Sequence, residues 1–388
     1  MKKVVIVTRR MILGGIEKAL ISMLEQMPKD KYDVTVLVMG VGGELEDEIP
    51  LHVKLKCLYG DEKSTLEKIW KKVKVGNVID ALKIGWYTFL SRKVKSVFDQ
   101  EMYHLKMVPN QEVEFDLAIA YHVPASLPVV YVINNIKAKS KVAWIHSDVS
   151  HYETALSRYK DYYAKYDKIF CVSQFALNKF NEIFPNLREK TSVFYNILDK
   201  QKFESLSLKG KSFEDNFDGI KILTIGRLTG EKGQDIIPVV LKKLISEGFN
   251  IRWYCIGEGD CRLRLENMIE ANNLGDHMLL LGNKKNPYPF IKDCDIYVQP
   301  SRHEGYCISL AEARSLNKPI VTTDFVGARE QINNCQTGII VKFDENEIYN
   351  SVKKLIKDKA IINKFINNLK NEKINTVEEM KKLFDCVG

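Results

Sequence analysis

Short runs of β-branched residues alternate with helix-patterned stretches along almost the whole chain, in two successive series. The first sets a run at 4–7 before a helical pattern over 16–27 and a second run at 34–38. It continues with runs at 117–120, 142–145 and 169–172. The second series has runs at 220–225, 251–256, 278–281, 296–299 and 320–322, each followed by a helical stretch. Strand, helix, strand in this rhythm means parallel sheet with crossover helices. At 388 residues the chain is longer than one hydrophobic core readily fills, so each series reads as a doubly wound domain of its own.

Between the series, 196–218 is polar and lysine-rich and is expected to be a linker. The expected division is a first domain over 1–200, a second over 201–370, and a C-terminal helix over 371–388 packing back on the first. The stretch 348–384 has apolar spacings of three and four and predicts two or three helices. In doubly wound sheets ligands sit at the carboxyl ends of the strands, so function is sought in the residues just after each run.

Composition excludes several classes. Hydrophobic residues at 45% and charged residues at 28% are those of a folded domain and unlike a disordered or collagenous chain. The eight cysteines are scattered, with no Cys-x-x-Cys pair and no histidines at zinc-finger spacing, so reduced thiols in a cytoplasmic protein and no metal site are expected. The apolar run after Lys3 is too short for a signal peptide, and no stretch of about 18 apolar residues occurs.

The net charge of +8 is uneven: over 63–95 nine basic residues face Glu67 and Asp80, a local excess of +7. Trp70, Ile84, Trp86, Tyr87, Phe89 and Leu90 interleave with those charges. Basic amphipathic helices on an anionic membrane surface are one reading, and a solvated helical face is the other. No nucleic-acid motif accompanies the charge, so nucleic acid is not an expected partner.

Three loops could carry chemistry. After the first run, Gly14-Gly15 opens a helix, where glycines let backbone N–H groups approach a ligand, although a plain turn explains them as well. Neither a Gly-x-Gly-x-x-Gly fingerprint nor a Walker sequence is present. After the run 220–225 comes Gly226-Arg227-Leu228-Thr229-Gly230-Glu231-Lys232-Gly233, whose guanidinium and ammonium could neutralise a diphosphate, or could be surface charges in a turn. After the run 296–299 comes His303-Glu304-Gly305-Tyr306-Cys307-Ile308-Ser309-Leu310-Ala311-Glu312. Amides of Cys307, Ile308 and Ser309 at a helix start suit a phosphate, and Glu312 suits ribose hydroxyls. The competing reading of Ser309 to Glu312 is a capping box that merely begins a helix.

Gly14-Gly15, Gly226-Arg227-Leu228 with Lys232-Gly233, Gly257-Glu258-Gly259, and Glu304 with Glu312 stand in an order that resembles the retaining glycosyltransferases of family four, over nearly the whole chain. The resemblance implies the GT-B fold, α/β, with two doubly wound Rossmann-like domains facing across a cleft. It implies that Arg227 and Lys232 bind the donor diphosphate and that Glu304 contacts donor-sugar hydroxyls. Glu312 would hold the ribose, and Gly14-Gly15 would lie beside diphosphate and acceptor. His146, in Trp144-Ile145-His146-Ser147-Asp148, resembles the family's active-site histidine, although a lone histidine is otherwise structural. Asn283 falls where the family's base-binding loop lies. Cys307 departs from the pattern, since many relatives carry a small residue there, often glycine.

The implied activity is retaining transfer of a hexosyl or N-acetylhexosaminyl group from a nucleotide-diphosphate sugar, a UDP-sugar before others. The acceptor would be a glycan or a polyprenyl-diphosphate-linked glycan of a bacterial capsule, exopolysaccharide or O-antigen. No cofactor and no metal are expected, and the enzyme would be peripheral on the inner face of the cell membrane. The rival reading is a non-catalytic accessory subunit of a partner transferase. A nucleotide-sugar epimerase or a phosphorylase matches the spacing from Gly226 to Lys232 less well.

Overall fold

The computed structural model describes residues 1–388 apart from 61–63, 109, 148, 150–152 and 373–374. The chain forms two units, one of Met1–Asn196 with Glu378–Gly388 and one of Ile197–Val377.

The first unit is built on seven parallel strands: β1 (Lys2–Thr8), β2 (Tyr32–Val38), β3 (Lys54–Cys57), β4 (Glu114–His122), β5 (Lys137–Ile145), β6 (Lys168–Cys171) and β7 (Thr191–Val193). Their order in the sheet is β3-β2-β1-β4-β5-β6-β7. Val4, Val5, Ile6 and Val7 of β1 are all fully buried, as expected for a central parallel strand covered by helices on both faces. Val5 and Val7 share a core with helices Leu127–Asn135 and Gln174–Ile183, and helix Gly15–Glu25 buries Ala19, Leu20, Ile21, Met23 and Leu24. Between β3 and β4 lie Thr65–Lys74, Val78–Lys93 and Val97–Leu105, capped by the side chains of Ser64, Asn77 and Ser96, each accepting from the amide three residues on. The C-terminal helix Met380–Asp385 belongs to this unit: Phe384 stacks on Tyr32 at 5.3 Å, and Lys382 Nζ donates to Val193 O at 2.8 Å.

The second unit has six parallel strands, β8 (Ile220–Ile225), β9 (Ile251–Ile256), β10 (Met278–Leu280), β11 (Ile296–Gln299), β12 (Ile320–Thr323) and β13 (Ile339–Val341), ordered β10-β9-β8-β11-β12-β13. Its core joins Ile222, Trp253, Val298 and Val321 of the sheet to Ile237, Val240, Leu241 and Leu244 of helix Ile237–Ser246 and to Val352 and Leu355 of helix Glu345–Lys357. The segment expected to be a linker is structured. Helix Lys200–Ser207 starts at Asp199, whose side chain accepts from Lys202 N at 3.1 Å, and Phe203 stacks on Tyr288 at 5.0 Å. An aromatic anchor and a cap help to hold this helix, whose composition is otherwise polar.

Both sheets reverse their strand order next to their first strand, between β1 and β4 and between β8 and β11. The loops that follow those paired strands diverge, and the space at the carboxyl ends is where such folds bind ligands.

Candidate functional site

In the second unit the loops after β8 and β11 are fastened to each other. Arg302 N donates to Glu231 O at 2.8 Å, and the Arg302 guanidinium makes a two-pronged bond to Asp235 at 2.6 and 2.9 Å. Gly233 adopts φ +69°, and a Cβ there would stand 1.9 Å from Pro300 O, so only glycine lets the two loops come this close. Gln234 Nε2 donates to Arg227 O at 2.9 Å and fixes the near end of the first loop.

This scaffold brings Lys232 to Glu304. Lys232 Nζ donates to Glu304 Oε1 at 2.6 Å, with the two side chains 17% and 8% exposed. Glu304 Oε1 also accepts from Ser301 Oγ at 2.9 Å, Ser301 Oγ accepts from Gln299 Nε2 at 2.9 Å, and Tyr297 donates to Gln299 Oε1 at 2.8 Å. The carboxylate is thus held by a polar chain running back into β11. Burial alone works to lower the Lys232 pKa, but the Glu304 carboxylate outweighs it and raises the ammonium above the ordinary lysine range. Of its three donors, one is committed to Glu304. Arg227 is well exposed and pairs with Glu231 at 2.8 Å, a surface contact that leaves most of its guanidinium edge toward solvent.

The capping-box reading of Ser309 to Glu312 does not hold. The helix runs Ile308–Ser315, and its N-cap is Cys307, in the left-handed region at φ +61°. Ser309 therefore lies inside the first turn, where its hydroxyl donates to Ile225 O at 3.1 Å and ties the helix start to the end of β8. Glu312 is buried and accepts from Tyr288 Oη at 2.8 Å, a partner on the separate helix Tyr288–Asp293. With no side-chain cap among the described residues, the amides of Ile308 and Ser309 keep the orphan donors and positive dipole end that attract an anion. Asn283 is exposed just beyond β10, whereas Asn286 is spent on the carbonyls of Leu206 and Lys209 at 3.0 and 2.8 Å.

In the first unit Gly14 is the N-cap and Gly15 the first residue of helix Gly15–Glu25. His146 follows β5 directly and is buried, its ring 4.3 Å from that of Tyr121. Burial first, and then the neighbouring His122, push its pKa down to about 3, so the imidazole is neutral at physiological pH. Asp148 of the same motif lies outside the described residues.

Sequence reasoning passed over His122, which ends β4 beside the strand leading to His146. Burial and then the charge of Arg9 lower its pKa to about 4. Thr8 Oγ1, His122 Nδ1 and His146 Nε2 are buried with no hydrogen-bond partner among the described residues, and they mark the carboxyl ends of β1, β4 and β5 in turn. The strand-end rule that singled out His146 points equally to His122. Nearby, Arg9 pairs with buried Glu101, which also accepts from Tyr159 at 2.9 Å. No spacing signal links those three in the sequence.

Comparison with known proteins agrees with this geometry. Residues 210–372 match the family model described as glycosyl transferases group 1. Over 210 residues the chain is 27% identical to the N-acetylgalactosamine-N,N'-diacetylbacillosaminyl-diphospho-undecaprenol 4-alpha-N-acetylgalactosaminyltransferase of Campylobacter jejuni, covering 54% of this chain and 56% of that one. It is 28% identical over 171 residues to the capsular polysaccharide biosynthesis glycosyltransferase CapM of Staphylococcus aureus, covering 41% and 44%. The matches thus span about half the length of these relatives. Among solved structures, Anabaena HepE in complex with UDP superposes with a TM-score of 0.71 at 16% identity, covering 99% of both chains. The chain has the GT-B fold, and over its residues 210–372 it is similar to the glycosyl transferases of group 1.

Proposed function

We propose that the chain is a retaining glycosyltransferase that moves a hexosyl or N-acetylhexosaminyl group from a nucleotide-diphosphate sugar, a UDP-sugar before others, to a glycan or polyprenyl-diphosphate-linked acceptor in surface-polysaccharide synthesis. The observation that carries the reading is the buried Lys232–Glu304 pair at the strand-order reversal of the second unit, next to the uncapped start of helix Ile308–Ser315. That is a cation, a carboxylate and a set of orphan amides on one rigid frame. Relatives named for sugar transfer to an undecaprenyl diphosphate and for capsule synthesis, and a structural neighbour crystallised with UDP, support it.

On this reading Lys232 and Arg227 bind the donor diphosphate, with amides of Cys307, Ile308 and Ser309 completing the phosphate cradle. A leaving nucleoside diphosphate gains negative charge as the sugar departs. Fixed cations at that spot therefore stabilise the transition state more than the ground state and take the role a divalent ion would otherwise fill. Glu304 receives donor-sugar hydroxyls, Glu312 the ribose, and Asn283 lies by the base. The bond from the anomeric carbon to the phosphate oxygen breaks while the bond to the acceptor oxygen forms on the same face, and the acceptor proton passes to the departing phosphate. Neutral His146 and the Gly14-Gly15 turn serve the acceptor side in the first unit.

The test is nucleoside diphosphate release from a panel of UDP- and GDP-sugars with purified protein, the anomeric configuration of the product being read by proton NMR. Release from one donor with a retained anomer is the expected result. An inverted anomer would overturn the mechanism, and no release from any donor would favour the accessory-subunit reading.

A further inference from the structure

The helices Thr65–Lys74 and Val78–Lys93 of the first unit turn apolar faces outward. On the first, Leu66, Trp70 and Val73 are exposed at spacings of four and three. On the second, Ile79, Leu82, Trp86 and Phe89 are exposed at spacings of three, four and three, Ile79 at 80% and Trp86 at 59%. Its inward stripe is Ala81, Ile84 and Ser91, so this helix is apolar on the face away from the core as well as toward it. A helix on the surface of a water-soluble domain keeps polar residues there, and a contiguous apolar stripe marks an interaction surface.

Cations frame the stripes. Lys71, Lys74, Lys83, Arg92, Lys93 and Lys95 are exposed in this segment. Two of them sit against the aromatic rings themselves, Lys74 Nζ 3.6 Å from the centre of Trp70 and Lys93 Nζ 4.3 Å from that of Phe89. Asp80 is tied to Lys72 and Asn77 and so is partly neutralised. Lys63, at the start of the basic segment, lies outside the described residues. A second copy of this face would bring two strongly positive surfaces together, which opposes self-association. An anionic lipid headgroup layer instead complements the charge, while its acyl boundary takes the rings.

We infer that these two helices dock the protein on an anionic bilayer, with Trp70 and Trp86 entering the headgroup boundary and the surrounding lysines and Arg92 bound to lipid phosphates. This surface stands on its own exposure and charge, and it can be measured with no donor or acceptor present.

The tryptophans provide the test. Of the four, Trp144 and Trp253 are buried in the two cores, so lipid-dependent change in emission reports Trp70 and Trp86. The full chain is mixed with brominated phosphatidylcholine vesicles, with and without phosphatidylglycerol, and both sedimentation and quenching are read. Quenching and co-sedimentation are expected only with the anionic vesicles and are reversed by salt. Trp70→Ser with Trp86→Ser should abolish the quenching. Lys71→Gln, Lys74→Gln and Arg92→Gln together should weaken partition on the order of a hundred-fold, at roughly five-fold per engaged cation. Circular dichroism confirms that each variant is folded. Equal partition into neutral vesicles, or none at low salt, would overturn the proposal. So would association of the lipid-free chain that hides these tryptophans from acrylamide.

Discussion

Replacing Lys232 by methionine removes one charge of a buried pair and leaves the Glu304 carboxylate without its cation, held by the Ser301 hydroxyl. Breaking a buried ion pair on one side costs about 3–5 kcal/mol, and with Lys232 and Glu304 only 17% and 8% exposed the lower end, about 3 kcal/mol, is the expectation. The unit spans Ile197–Val377, a size at which each kcal/mol moves the midpoint by about 2–4 °C, so Lys232→Met should lower it by about 6–12 °C. Glu304→Gln keeps the shape and the bond from Ser301 but strands the ammonium, and it should destabilise similarly. The double variant loses both charges and should be more stable than the sum of the single effects by about 2 kcal/mol. Because the Lys232 pKa is raised in the fold, the pair's contribution is complete below the ordinary lysine pKa, and it is lost as pH rises through the folded value. Calorimetric melts of the full chain at neutral pH measure all three. Strictly additive variants, or midpoints unmoved in both singles, would refute the reasoning that the pair is buried and coupled.

The two histidines at the strand ends of the first unit are neutral in the fold, at about 4 for His122 and about 3 for His146. The unfolded chain takes up their protons below about 6.5, so stability should fall as pH drops from there toward 4, by up to about 1.4 kcal/mol per pH unit for each. Melts of His122→Gln and His146→Gln should show a shallower acid slope than the parent. At Cys307 the left-handed backbone costs a side chain about 1–2 kcal/mol, so Cys307→Gly should be neutral or stabilising and Cys307→Val clearly destabilising in denaturant titrations. Glu312→Gln keeps an acceptor for Tyr288 Oη, so its midpoint should move by less than about 2 °C while UDP affinity drops at least about ten-fold.

How much of this was legible beforehand depended on where each element sits. Strands β8, β9 and β11 coincide with the apolar runs to the residue, because central parallel strands must be apolar on both faces. The strands that pattern reading missed, β3, β7 and β13, are sheet edges. They are short, and β3 carries Lys54 and Lys56, the kind of charge that protects an edge from pairing and erases its hydrophobic signature. Helix Lys200–Ser207 was hidden because it depends on Phe203 and a cap rather than on periodicity. At the site, spacing pointed to Lys232, Glu304 and Glu312 but could not show that Lys232 and Glu304 touch. That contact spans 72 positions and is set by two loops at a strand-order reversal. The capping-box alternative failed because a left-handed Cys307 starts the helix early, a backbone choice that composition does not announce.

The Lys232–Glu304 site of the second unit is proposed to hold a nucleoside diphosphate. Titration calorimetry of UDP into the full chain tests it directly, with the Lys232→Met/Glu304→Gln double variant and Arg227→Ala alongside. Measurable binding to the parent is expected, weakening at least about ten-fold in each variant, as when charged hydrogen bonds to a diphosphate are lost. Undiminished UDP affinity in both variants would contradict it.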